Sequence, residues 1–236
     1  MTYDELVATI QSYTENTFPD TYIADGSAVS STTQIDTFIQ QAEQRIYNSV
    51  QFPSLRKNVT GTTTANNKYL SCPGDFLSVY SIAVIDGTGA YEYLLNKDVN
   101  YIRQAYPTPT DTAIPKYYAL FGPTTTNDAS PVITDELSFI LGPTPDAAYS
   151  VELHYYYYPE SITVASDGHT WLGDNFDSVL LYGSLVEAYT FMKGEADMVA
   201  LYNTKYNEAL ALAKRLGDGM ERQDAYRSGQ YRQAVT

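Results

Sequence analysis

The chain has 236 residues, which suffices for one large domain, or for a domain with an insertion, that buries its own core. Its single cysteine, Cys72, excludes an intrachain disulfide and favours a reducing compartment. The formal net charge of −14 disfavours a nucleic-acid-binding protein, because binding DNA requires cations that displace its counterions.

The N-terminus predicts a helix rather than a targeting segment. The first residues, MTYDELVATI, carry acids instead of a basic region, and no apolar run in the chain is long enough to span a bilayer. We therefore expect a soluble protein without a membrane anchor. Thr2 and Glu5 form a capping-box pattern, and the helix that it opens is predicted to end at Pro19.

The second predicted helix is the best determined element of the sequence. Ser31 and Gln34 repeat the capping-box pattern at its start. Apolar residues then recur at spacings of three and four and stop before Pro53: Ile35, Phe38, Ile39, Ala42, Ile46 and Val50. This periodicity predicts a helix with one buried face.

From about Val59 to Pro159 the pattern becomes that of β-strands. Strands are predicted at 79–85, 91–95, 116–121, 132–141 and 149–158, with a turn at Asp86-Gly87 and a short helix at 98–105. In the last of these strands Val151, Leu153 and Tyr155 alternate with polar residues. Such alternation is typical of a strand that is buried on one side.

Helical periodicity returns at Asp174, which is a suitable N-cap. The helix from Phe176 to Met192 is apolar on nearly all sides, which is typical of a helix buried within a bundle or between subunits. A last helix is predicted to end at Gly217. The polar residues after Gly219 are expected to be disordered in the isolated monomer.

The order of these elements predicts an α+β fold. A helical bundle formed by the N- and C-terminal helices carries an inserted β-rich subdomain, and an extended C-terminal tail follows. The predicted segments are 1–58 and 161–217 for the two halves of the bundle, 59–160 for the insert and 218–236 for a docking tail.

The sequence shows no pattern of catalytic or cofactor-binding residues. It contains neither a Ser-His-Asp arrangement nor a CxxC pair nor a glycine-rich phosphate loop. His154 falls on the polar side of a predicted strand. His169 stands between Asp167 and Asp174, but their spacing fits no known cation-binding loop, and ion binding there stays open. We expect no enzymatic activity, no cofactor and no metal site.

Tyrosine is unusually frequent, with 23 residues against eight phenylalanines and one tryptophan. Sheet propensity explains part of this excess, but tyrosine is also enriched at protein interfaces. In the tail a Tyr-Arg pair repeats five residues apart, and both residue types often carry binding energy at interface centres. The residues predicted to contact partners are Tyr226, Arg227, Tyr231 and Arg232 in the tail and Phe176, Leu180, Leu181 and Leu185 in the apolar helix.

Several segments together resemble the head-to-tail adaptor proteins of tailed bacteriophages. The second helix contains Ala42-Glu43-Gln44-Arg45-Ile46, which is similar to the Ala-Glu-x-Arg-Ile helix of that family. Further similar segments follow in family order: YLSCPGDFLSV (69–79), IPKYYAL (114–120), FILGPTPDAAYSVELHYYYYP (139–159) and TWLGDNFDSVLLYGSLVEA (170–188). Their order and spacing carry the resemblance, which spans about residues 32–214. The segment 71–75 and the tail depart from the family pattern.

The resemblance implies a structural virion protein at the head–tail junction, assembled in the cytoplasm of the bacterial host. Its subunits would form a ring, a dodecamer in the family, that joins the portal protein to a downstream neck or tail protein. Genomic DNA would pass through this ring without specific binding. An alternative is a receptor- or glycan-binding tail module whose tyrosines stack on sugar rings, although the flanking helices argue against it.

Overall fold

The computed structural model describes residues 1–22, 26–108, 110–125, 133–135 and 137–227. Helices lie towards both ends of the chain, and most strands lie in its middle. The predicted α+β class is therefore confirmed. Contacts divide the chain into two units, which are described separately: a helical unit of Met1–Leu55 with Tyr158–Thr236, and a β unit of Arg56–Tyr157.

The helical unit is a bundle centred on one helix. In chain order the described helices are α1 (Tyr3–Thr14), α2 (Ser31–Ser49), α3 (Val99–Ala105), α4 (Trp171–Asn175), α5 (Asp177–Phe191) and α6 (Ala196–Arg227), of which α3 belongs to the β unit. The central helix α5 packs against α1, α2, α4 and α6. Two short strands, β1 (Thr21–Tyr22) and β2 (Ala28–Val29), pair just before α2. None of the described helices is long and apolar enough to cross a membrane.

The start of α1 follows the prediction, but its end does not. Thr2 and Glu5 make both hydrogen bonds of the capping box. The helix ends at Thr14 and not at Pro19, because Glu15 adopts a left-handed conformation with φ of 49°. A residue in this conformation is a common way to end a helix.

The N-cap of α2 lies one residue before the predicted position. Ser30 caps the helix, and its hydroxyl accepts a hydrogen bond from the Thr33 N–H. Gln34 does not complete a capping box, because its amide donates to the carbonyls of Pro19 and Val29. All six residues of the predicted apolar stripe are buried, which confirms the helical periodicity.

The cap predicted at Asp174 is wrong. Thr170 caps the short helix α4, and Asp174 lies within that helix. The apolar helix α5 begins at Asp177 without a side-chain cap. The chain therefore enters the apolar helix through an additional helical turn that the sequence pattern did not separate from it.

The last helix, α6, does not end at Gly217 but continues to Arg227. A Cβ on Gly217 would lie 2.8 Å from the carbonyl oxygen of Gln51 and 3.2 Å from a methyl carbon of Val50. This glycine therefore permits the close approach of α6 to the end of α2, and it does not terminate the helix. The predicted extended tail is helical as far as Arg227, and residues 228–236 lie outside the described residues.

The β unit contains two four-stranded sheets that share one core. Its strands are β3 (Arg56–Thr62), β4 (Tyr69–Ser71), β5 (Ser78–Ile85), β6 (Tyr91–Tyr93), β7 (Leu95–Asn96), β8 (Tyr117–Phe121), β9 (Thr124–Thr125), β10 (Ile133–Asp135), β11 (Ser138–Gly142) and β12 (Ser150–Tyr156). The strand orders are β3-β12-β5-β6 and β4-β11-β8-β7, and β9 pairs with β10 separately. Val151, Leu153 and Tyr155 of one sheet pack with Phe139 and Leu141 of the other. This packing confirms the predicted alternation of β12.

Helix α3 covers the outer face of the sheet that contains β8 and β11. Ile102 of α3 is buried against Ala119 and Ile140, which alternate along their strands with residues of the main core. Asp98 caps the helix and accepts a hydrogen bond of 2.7 Å from the Asn100 N–H. The β unit thus has three layers, which are α3, the sheet beneath it and the second sheet. In the described part of the unit, no helix covers the outer face of the second sheet.

Candidate assembly surfaces

The α2 motif Ala42-Glu43-Gln44-Arg45-Ile46, which carries the family resemblance, makes contacts that connect the helices of the bundle. Ala42 lies against Gly183 of α5, where an added Cβ would come within 3.1 Å of the Ala42 Cβ, so these small residues permit close helix packing. Arg45 forms an ion pair with Glu187 of α5. Its guanidinium carbon also lies 5.9 Å from the ring centre of Tyr206 in α6. The motif therefore joins α2 to two other helices of its own chain.

Glu43 of the same motif is a buried carboxylate, with only 3 % of its surface exposed. Its Oε1 accepts a hydrogen bond of 3.0 Å from the Ile162 N–H, and the Ser161 side chain also bonds to it. Burial raises the pKa of this carboxyl and outweighs the two hydrogen bonds, which act in the opposite direction. These hydrogen bonds of Glu43 therefore connect the segment around Ile162 to α2.

Three of the contact residues predicted in the apolar helix are core residues of the chain itself. Leu180, Leu181 and Leu185 are buried by the neighbouring parts of the bundle. Phe176 is only half-buried and stacks on Phe52, with 5.2 Å between their ring centres. The bundle of the chain itself therefore buries these three leucines, and the partner contacts predicted in this helix stay predictions.

The four predicted contact residues of the tail are divided by the end of α6. Tyr226 and Arg227 are its last two residues. Tyr231 and Arg232 lie outside the described residues. Partner contacts by all four stay predictions.

His169 and Asp174 form an exposed pair at the start of α4. The His169 Nδ1 lies 3.0 Å from the Asp174 Oδ1, and this hydrogen bond raises the pKa of the imidazole. Asp167 instead accepts a hydrogen bond of 3.1 Å from the backbone N–H of His169. Within the described ranges, no group of three or more His, Cys, Asp and Glu side chains is arranged to hold a metal ion.

One face of the β unit carries cations that stack on aromatic rings. The Lys97 Nζ lies 5.3 Å from the ring centre of Tyr101 and 6.0 Å from that of Tyr117. The guanidinium carbon of Arg103 lies 5.5 Å from the ring centre of Phe121. We call these five residues the basic aromatic patch. It lies on the side of the unit that α3 covers.

The opposite face carries a second aromatic surface. The rings of Tyr91 and Tyr93, on the edge strand β6, stack with 6.3 Å between their centres and 26° between their planes. Glu92 pairs with the core residue Val84 and therefore lies on the other face of β6, whereas Glu152 of β12 lies on the same outer face as the two tyrosines, across β5. The charge of Glu152 raises the pKa of Tyr91. We call Tyr91, Tyr93 and Glu152 the outer aromatic patch.

Neither patch was among the contact residues predicted from the sequence. The Tyr91-Glu92-Tyr93 alternation is a signal for two rings on one face of a strand. This signal does not say which face of a sheet is exposed, because that depends on how the two sheets pack. The folded unit was needed to distinguish the two sides.

The helical unit offers two smaller apolar surfaces. Leu212 and Leu216 are exposed at a spacing of four residues on α6, and they therefore share one face of the helix. A shallow groove of about 300 Å³ lies between α2 and α5, where Phe38 and Phe191 form its apolar part and Glu187 lies at its wall. Both surfaces are accessible to a partner.

Comparison with known proteins identifies the family of the chain. The model of a family described as SU10 adaptor protein matches residues 1–233, and the match includes both units. A search of curated proteins found no match. Proteins of a phage adaptor family are structural components of the virion and not enzymes, which agrees with the absence of a catalytic pattern in the sequence. The chain belongs to the SU10 adaptor protein family, a family of phage head-to-tail adaptors.

Proposed function

We propose that this adaptor forms a closed ring that joins the portal to the tail and through which the genomic DNA passes. The observation that carries the proposal is the family match over residues 1–233, which covers the helical unit and the β unit together. Closed rings arise from head-to-tail contacts, which need two different surfaces on each subunit. The two aromatic patches and the exposed residues of α6 supply surfaces of this kind.

The partners of such a ring are further copies of the chain, the portal protein and a downstream neck or tail protein. Twelve copies is the number that the family resemblance implies. The exposed tyrosines suit these contacts, because aromatic side chains are enriched at protein interfaces. A stable contact between neighbouring copies should bury on the order of 1,600 Å² in total.

The charge of the chain supports passage of DNA rather than binding. The 28 acidic residues outnumber the 14 basic ones by two to one. An acidic or neutral channel wall does not trap a polyanion, because like charges repel. We expect the protein to show no binding of duplex DNA at physiological salt, and tight binding with a steep salt dependence would contradict an acidic channel.

Mass photometry of the purified protein with its cognate portal protein tests the proposal. The expected result is a complex of one portal with a ring of adaptor subunits, formed equally well when free glycans are present. Failure to bind the portal, together with measurable glycan binding, would overturn the proposal in favour of a glycan-binding tail module. In that module the exposed pair of Tyr91 and Tyr93 would be the stacking surface.

A further inference from the structure

We propose that the exposed side of α2 forms the inner wall of the ring, where it faces the passing DNA duplex. This inference rests on the proposed ring with its DNA channel and names the surface that lines the channel. Six exposed, uncharged residues define this surface, which we call the neutral stripe: Thr33, Thr37, Gln40, Gln41, Gln44 and Asn48. Their spacings of three and four residues place them on one side of the helix.

The first argument is that the charged residues of α2 are engaged within the chain and lie outside the stripe. The structure describes all 19 residues of this helix, and only Asp36, Glu43 and Arg45 among them are charged. Asp36 is half-buried and accepts a hydrogen bond of 2.7 Å from the Tyr3 hydroxyl, and Glu43 is buried. Arg45, at the border of the stripe, is paired with Glu187. The stripe itself therefore presents only hydroxyl and amide groups.

The neutral stripe contrasts with the other long helices of the same unit. Helix α1 exposes Asp4 and Glu5, and α6 exposes Asp197 and Glu208. The chain as a whole carries a net charge of −14. Exposed charge keeps a protein soluble, so solubility does not explain why one long helix of an acidic chain has an exposed side without it.

Two side chains that contact the stripe continue its neutral character. The Gln40 amide donates a hydrogen bond of 2.9 Å to the Thr163 hydroxyl. The Tyr158 hydroxyl donates one of 2.6 Å to the Asn48 carbonyl oxygen. The neutral surface is therefore wider than the helix that carries it.

The second argument is the electrostatics of a ring built from identical copies. The copies of any one residue lie closest to each other at the inner wall, because the circumference is smallest there. Exposed like charges repel over about 8 Å at physiological salt, so charge at the inner wall opposes assembly more than charge at the rim does. The passing duplex adds its own dense negative charge. A wall of hydroxyl and amide groups neither repels the duplex nor retains it.

A contact between neighbouring copies is the other use for an uncharged surface, but the residue types favour an open wall. The centres of protein interfaces are enriched in aromatic residues, methionine and arginine. The neutral stripe contains none of these types, and its threonines, glutamines and asparagine are side chains that water solvates well. A subunit contact through the stripe is one outcome of the test below.

A matched pair of lysine variants tests the inference. Gln40→Lys with Gln44→Lys places two cations per copy on the stripe. The control, Asn203→Lys with Asn207→Lys, adds the same charge at the same four-residue spacing on α6. All four positions carry an exposed amide in the wild type. Thermal unfolding would verify that both variants are folded.

The rings are assembled on the cognate portal in about 1 M salt, where the screening length of about 3 Å suppresses repulsion between the added lysines. At physiological salt they then receive a labelled linear duplex or a covalently closed circular duplex of the same length and sequence. A linear duplex enters a closed ring by its end, whereas a closed circle cannot enter. Cosedimentation measures the DNA that each ring retains.

The stripe variant should retain the linear duplex at least tenfold better than the wild type, and this retention should fall steeply as salt rises. It should retain the circle no better than the wild type does. The control should treat the linear and the circular duplex alike, because lysines outside the channel reach both.

Four outcomes would overturn the inference and leave the proposed ring intact. Equal retention of both duplexes by the stripe variant would place the stripe on the outside, and retention of neither would show that it does not face the DNA. Selective retention of the linear duplex by the control alone would assign the wall to α6. A folded stripe variant that fails to assemble even at high salt would place the stripe in a subunit contact. If the wild type forms no ring with the portal, the proposed function itself fails.

Discussion

At the scale of single residues, the family motif of α2 is explained by contacts inside the bundle. Ala42 permits close packing, Arg45 joins α2 to α5 and α6, and Glu43 fastens the segment around Ile162. A buried carboxylate is costly unless it is hydrogen-bonded, and Glu43 has such bonds. The sequence identified the motif but not these roles, because the partners lie more than a hundred residues away in the chain.

Glu43 gives a prediction for stability and its pH dependence. At neutral pH, Glu43→Gln should be at least as stable as the wild type, because the amide keeps an acceptor for the Ile162 N–H and removes a buried charge. Glu43→Ala leaves that N–H without an acceptor and should lower the free energy of unfolding by about 1–3 kcal/mol. Urea denaturation of the three proteins measures both effects. A Gln variant less stable than the Ala variant would contradict this role.

The direction of the pH effect follows from the raised pKa of Glu43. The folded protein holds this proton more tightly than the unfolded chain, so the contribution of Glu43 to stability falls as pH rises from the ordinary value of 4.5 towards the raised one. The stability of Glu43→Gln relative to wild type should therefore increase over this interval. Denaturation midpoints at several pH values between 4 and 7 check the sign, and a constant difference would contradict it.

At the scale of elements, local periodicity predicts what lies inside a helix or a strand better than where it ends. The buried stripe of α2 and the alternation of β12 are both confirmed, because they depend on side chains a few residues apart. The ends of α1 and α6 were predicted at Pro19 and Gly217 and lie elsewhere. A glycine that serves close packing and a glycine that ends a helix look the same in a sequence.

Two glycines of α6 allow a matched test of this interpretation. Alanine is normally more favourable than glycine in a helix by about 1 kcal/mol. Gly217→Ala should nevertheless destabilise the protein by about 1–3 kcal/mol, because its Cβ meets the backbone of Gln51. Gly219→Ala meets no atom within 4 Å and should be neutral or stabilising. Thermal unfolding followed by circular dichroism compares them, and equal stability of the two variants would contradict the packing role of Gly217.

The C-terminal residues give a prediction for the last element. Truncation after Gly219 removes the end of α6 together with Tyr226, Arg227, Tyr231 and Arg232. We expect the thermal stability of the monomer to stay unchanged, because the core residues of the bundle remain. Binding to the portal should weaken severalfold. A second truncation, after Arg227, distinguishes the contribution of the helical residues 220–227 to portal binding from that of residues 228–236. Portal binding as tight as that of the full chain would show that the tail contributes nothing to docking.

At the scale of the whole molecule, the order of segments carried more information than any one of them. The helix–strand–helix order predicted the α+β class, and the spacing of several weak motifs indicated the adaptor family, which the match over residues 1–233 confirms. The candidate contact residues were less predictable. Leu180 and Leu185, which are predicted from their hydrophobicity, are buried, whereas the exposure of the tyrosine pair on β6 depends on how the two sheets pack.

The most direct test of the central claim is a cryo-electron microscopy reconstruction of the protein assembled on its cognate portal. We predict a single closed ring of adaptor subunits seated on the portal, with neighbouring copies in contact and an acidic or neutral channel wall. Adaptor copies attached singly at the outside of the portal, or a closed assembly that leaves no passage for a DNA duplex, would contradict the claim.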